Sequence, residues 1–109
     1  SPLSGGYAGA KATVRFIAQY AAEESRRLNL GIQVTALLPQ LSAATDLGRP
    51  AVAAYAHRAG MTEEQYRAQL GTPVTPHLAG AAVVQVLTDP TLTAHGAFLL
   101  TSAGLKPLE

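Results

Sequence analysis

The chain has no cysteine, which removes disulfides, thiolate metal sites and a cysteine nucleophile, and fits an intracellular protein. Charge is scarce as well: 14% of the residues are Asp, Glu, Lys or Arg, and the net charge is +1. Binding to nucleic acid or to a membrane surface relies on a basic field that this composition does not supply, so neither is an expected partner. His57, His77 and His95 are far apart in sequence and make no metal-ligand spacing, so no metal is expected. Every apolar run is soon broken by Pro, Gly, Gln or Asp, and no signal peptide is visible; a soluble, cytoplasmic protein is expected. Repeats and low-complexity tracts are missing. Gly5, Gly6 and Gly9 form a loose cluster, but no strand precedes them and their spacing fits neither the P-loop nor the dinucleotide fingerprint.

What is present suffices for one folded unit, since 109 residues of which 48% are apolar match the size and core content of a small domain. The most informative stretch runs from Tyr7 to Pro39. Tyr7 and Lys11 stand at i and i+4, which puts a phenol and an ammonium one turn apart on the same helix face. A phenol with an ordinary pKa near ~10 exchanges protons poorly at neutral pH, and an adjacent cation favours the phenolate. Such a pair suits proton exchange with a substrate oxygen. Ser4, Gly5 and Gly6 suit a capped helix start. Val14, Ile17, Ala21 and Leu28 recur at helical spacing, and Leu30-Gly31 suits a stop, so the predicted helix runs from Tyr7 to Leu30. Ile32 to Leu38 is β-branched and largely apolar, as in a strand buried on both faces, and Pro39 ends it.

The remainder alternates helices with connections. Ala51 to Ala56 follows Pro50 and favours a helix. Thr62 to Leu70 begins with a cap-like Thr62, places acids in its first turn and stops at Gly71. Tyr55, His57, Met61 and Tyr66 could line a pocket, although packing is the commoner role for residues at this spacing. A further helix is predicted over Pro76 to Leu87, with Ala79, Ala82, Val83, Val86 and Leu87 as its apolar face, broken by Asp89-Pro90. Ala97 to Thr101 reads as a short strand, and Leu105 to Glu109 as a tail.

The order Tyr-x-x-x-Lys, long helix, Gly-Ile-x-Val strand, Pro, and later a helix, a Pro turn and a Gly-led strand resembles the second half of a short-chain dehydrogenase/reductase. The resemblance implies an α/β fold: the C-terminal part of a Rossmann-like doubly wound parallel sheet, helix-rich, with two parallel strands at Ile32 to Leu38 and Ala97 to Thr101. It implies an NAD(P)-dependent oxidoreductase in which Tyr7 is the general acid or base. Lys11 would lower the pKa of that phenol and hydrogen-bond the nicotinamide ribose. The turn after the strand, Pro39, Gln40, Leu41 and Ser42, would lie on the nicotinamide side. This chain has Gln40 where the family has Gly, and Thr45 one residue later than the usual Thr. The family's substrates are alcohols and carbonyl compounds, its lid corresponds to Gly48 to Gly71, and its long helix forms a dimer interface, so a homodimer or homotetramer is implied.

The family's glycine-rich pyrophosphate turn and its upstream Ser and Asn have no counterpart in this sequence. Ser4 stands too close to Tyr7 to be that Ser. Residues 1–109 are therefore expected to be the C-terminal half of a longer chain, inactive alone. Two alternatives remain at this level. One is a non-catalytic helical interaction or oligomerisation domain, with the Ala-rich helix as a docking face. The other is a family member that has kept the fold and lost the activity.

Overall fold

A computed structural model of the chain describes residues 3–108; Ser1 and Pro2 of the predicted entry turn and Glu109 of the predicted tail lie outside them. The first element, helix α1 at Gly5–Arg27, is two residues earlier at its start and three shorter at its end than its sequence suggests. Ser4 occupies the cap position without capping through its side chain. Its hydroxyl instead accepts a hydrogen bond from the Tyr55 hydroxyl at 3.0 Å. The helix stops at Asn29, not at Gly31, because Asn29 takes the left-handed conformation at φ +50°. Its N–H bonds to Arg26 O at 3.3 Å and that of Leu30 to Ser25 O at 3.0 Å, the paired bonds of a Schellman stop. Gly31, at φ +67°, makes a second bend just beyond.

Ser25 then clamps the returning chain. It is buried, and its hydroxyl donates to Ile32 O at 2.7 Å and accepts from Ile32 N–H at 3.0 Å. These bonds pair the backbone of a residue that the sequence reading placed inside a strand.

Strand β1 is Ala36–Pro39, four residues where seven were expected from Ile32 onward. Pairing accounts for the difference. Strand β2, Ala97–Thr101, begins opposite Ala36, and the parallel ladder begins with it. Ile32 is consequently exposed. Ala36, Leu37 and Leu38 are half-buried, not buried on both faces as their composition suggested.

Between the two parallel strands lie helices α2, Gly48–Arg58, α3, Glu63–Leu70, and α4, Pro76–Thr88. Helix α3 opens with a full capping box: Thr62 Oγ1 accepts from Gln65 N–H at 3.1 Å and Gln65 Oε1 accepts from Thr62 N–H at 2.9 Å. Thr75 caps α4 in a similar way through Leu78 N–H at 3.2 Å. Asp89-Pro90 does break that helix, into a single 3-10 turn at Pro90–Leu92.

The predicted tail is a strand. Residues Gly104–Leu108 form β3, antiparallel to β2 and joined to it through Ser102 and Ala103. Pro107 sits in it opposite Phe98, a place open to proline because β3 is an edge strand and needs no donor toward solvent. The sheet is thus three-stranded and mixed, in the order β1-β2-β3, and the fold is α/β. The central strand is the most buried, with Ala97, Phe98 and Leu100 out of contact with solvent. Leu100 packs with Val74 and Ala82, and Leu78, Ala79 and Leu105 close around them, so α4 covers one face of the sheet.

Helix α1 has little such cover. Val14, Phe16, Ile17 and Tyr20 are 58–64% exposed, whereas Ala8, Arg15, Ala18, Ala21, Ala22 and Glu24 are half-buried and Ser25 is buried. The radius of gyration is 16.0 Å, against about 13 Å for a compact chain of this length.

Candidate active site

The turn leaving β1 is built from its own polar groups. Gln40 N–H continues the ladder onto Leu100 O at 2.9 Å. Ser42 is buried, and its hydroxyl accepts from Ala44 N–H at 3.2 Å. Thr45 Oγ1 donates to Ser42 O at 3.3 Å and accepts from Gly48 N–H at 3.0 Å, which ties the turn to the first residue of α2. The approach is close enough that a Cβ on Gly48 would lie 1.7 Å from Ser42 O. Asp46 and Arg49 pair across the outside of the turn. Thr45 thus holds the turn together, a role its displaced spacing in the sequence did not suggest.

Beside this turn opens a cleft of about 690 Å³. Tyr7, in the first turn of α1, lines it together with Pro39, Gln40, Leu41 and Ser42. Five of the six residues singled out in the sequence therefore meet in one place. The sixth, Lys11, does not line the cleft; its Nζ lies 5.5 Å from the centroid of the Tyr7 ring, over the ring. The tyrosine is about half exposed, so the cleft is open to solvent on its side. The location, beyond the carboxyl end of a parallel strand, is where open α/β sheets hold their ligands.

The opposite wall comes from α2, α3 and the residues flanking them: Leu47, Ala51, Tyr55, Tyr66, Leu70 and Val74. Tyr55 and Tyr66 face one another with ring centroids 6.3 Å apart and planes inclined at 40°. The bond from Tyr55 to Ser4 fixes the first of these rings against the start of α1. Packing was the expected role for both tyrosines, and the structure gives them a place in the cleft as well. His57 and Met61, weighed beside them, do not line it. Leu47, Leu70 and Val74 carried no signal in the sequence beyond being apolar. Ser4 was set aside for its closeness to Tyr7, and that closeness brings it into the cleft.

Among the described residues, none that lines this cleft is charged. Among the described residues no group of His, Asp and Glu could hold a metal ion, and no helix is long and apolar enough to cross a membrane. Comparison with protein-family models, with curated proteins and with solved structures found no match.

Proposed function

We propose that this chain is the C-terminal, proton-transferring portion of an NAD(P)-dependent oxidoreductase of the short-chain dehydrogenase/reductase type, built on the last strands of a Rossmann-like sheet. The observation that carries the reading is that Tyr7, with Lys11 beside it, shares one cleft with the Pro39 to Ser42 turn at the end of a parallel strand. The residues fit a nicotinamide nucleotide chemically. The Gln40 side chain offers both a donor and an acceptor to a carboxamide, and its own backbone N–H is already bonded to Leu100. Leu41 and Ser42 complete the turn on that side, and the family resemblance assigns the ribose contact to Lys11, whose Nζ lies 5.5 Å from the centroid of the Tyr7 ring.

The bound dinucleotide supplies the hydride donor or acceptor. The proton transfer belongs to the chain. In the oxidative direction the Tyr7 oxygen would take the proton from the substrate hydroxyl while the hydrogen on the carbinol carbon leaves as hydride to the nucleotide, and in the reductive direction the Tyr7 hydroxyl would return the proton to the carbonyl oxygen. The pyrophosphate half of the nucleotide needs a glycine-rich βα turn, which an upstream half would provide. The β1 edge of the sheet and the exposed apolar side of α1 are surfaces such a half, and a second subunit, would cover.

The test is Tyr7→Phe in a chain that includes such an upstream half. Turnover is expected to fall between roughly 100-fold and 10,000-fold, with NAD(P)H affinity nearly unchanged; turnover close to the parent's would refute the role. A fluorescence titration of the 109-residue chain alone is expected to show no NADH binding.

A second reading has an observation of its own. The exposure of Val14, Phe16, Ile17 and Tyr20 along one helix favours a non-catalytic assembly module, in which the cleft has no reaction to perform. In that case Tyr7→Phe would leave every property unchanged, whereas a charge at Phe16 would alter association.

A further inference from the structure

We infer that the cleft selects an uncharged substrate with an apolar ring body, seated against Tyr55 and Tyr66. This rests on the oxidoreductase reading for the reacting group, a carbonyl or secondary alcohol held at Tyr7. The selectivity comes from what forms the opposite wall. Leu47, Ala51, Leu70 and Val74 present only carbon, and the two tyrosine rings, 6.3 Å apart and inclined at 40°, present faces and edges to a flat or alicyclic group. Tyr55 is held in place by its hydroxyl on Ser4, so its ring is preorganised.

Charge is excluded by the absence of any counter-charge in the lining. A carboxylate or phosphate brought into the cleft would lose water without gaining a cation. The arginines nearest in sequence to the wall are engaged elsewhere: Arg49 pairs with Asp46, and Arg67 with Glu63 at 3.5 Å. Lys11 stands outside the lining. Size points the same way, because about 690 Å³ is far more than a two- or three-carbon hydroxy acid would fill, even beside a nicotinamide ring.

The experiment compares acetophenone with 4-acetylbenzoate, which differ only in a carboxylate. Titrated into the 15N-labelled 109-residue chain, acetophenone is expected to shift the amides of Tyr55, Tyr66 and Leu70 and to bind about tenfold or more tighter than the acid. Leu70→Arg, which adds a cation to the wall, is expected to reverse that order, and Tyr66→Ala to weaken acetophenone by about fivefold or more. In a chain that includes the upstream half, kcat/KM with reduced cofactor should favour acetophenone by a similar factor. Equal or better binding and use of 4-acetylbenzoate overturns the inference while leaving hydride transfer in place. Failure of acetophenone to bind the chain also overturns it. Selective binding without nicotinamide-dependent turnover would instead support the pocket's preference and overturn the oxidoreductase reading.

Discussion

Gly48 is glycine because the carbonyl oxygen of Ser42 occupies the space a side chain would need. The contact spans six residues of sequence and depends on how the β1 exit turn folds back, so no local pattern announces it. Gly48→Ala must push α2 away from that turn. The expected cost is about 1–3 kcal/mol in chemical denaturation, together with loss of any ligand that needs both walls of the cleft; an unchanged midpoint would show that the turn is free to move. Ser25 has a comparable role at the other end of β1. Ser25→Ala removes both hydrogen bonds to Ile32 and leaves that backbone to water, at an expected cost of about 1–2 kcal/mol. Ser25 was equally unreadable, since a serine near the end of a polar helix turn looks like a solvated residue. Tyr7 and Lys11 were readable as a pair because their relation is local, one turn of one helix. That Tyr7 shares a cleft with Gln40 and Tyr55 is a matter of tertiary folding, visible only through the family resemblance.

Elements whose limits are set by local chemistry were legible, and those set by a partner were not. Helix α3 has a complete capping box and a glycine stop at φ +73°, all within ten residues, and the sequence delimits it correctly. Thr62→Ala should cost about 1 kcal/mol and raise amide exchange throughout α3, loosening the Tyr66 side of the cleft; protection equal to the parent's would show that packing holds the helix instead. Strand β1 was overextended because Ile32 to Thr35 has the right composition but lies ahead of the first residue of β2. Strand β3 was missed because Lys106-Pro107 reads as a tail, and only its edge position makes proline acceptable there. The turn before β2 carries a pH dependence. Asp89 accepts hydrogen bonds from the Thr91 hydroxyl at 2.7 Å and the Thr91 N–H at 2.9 Å. These bonds, the hydroxyl's first, hold its carboxyl below the ordinary aspartate range. A lowered folded pKa contributes stability that is fully present above the unfolded value and is lost as pH falls through the folded one. Asp89→Asn should therefore lower stability slightly at neutral pH, flatten the acid limb of the profile and converge with the parent at acid pH, as denaturation at a series of pH values would report.

At the scale of the molecule, the expected apolar stripe of α1 and the observed one differ in what they face. Val14, Ile17 and Leu28 fall at helical spacing and would ordinarily mark a core side, yet among the described residues they are exposed, together with Phe16 and Tyr20. The residues that do meet the fold include the small Ala18, Ala21, Ala22 and Ser25, the last of which holds the chain that returns into β1. Phe16 and Tyr20 stack on each other, with centroids 6.4 Å apart. Apolar area of this extent on an elongated molecule drives association, since burying a single such side chain contributes about 1.5–3 kcal/mol. The 109-residue chain is therefore expected to self-associate with rising concentration in light scattering, and Phe16→Asp with Ile17→Asp to return it toward the monomer without unfolding the sheet. If the doubly substituted chain and the parent scatter alike, these residues do not drive assembly. A parent that stays monomeric at every concentration would remove the need for any covering surface on α1, whether from a second copy or from another part of a longer chain.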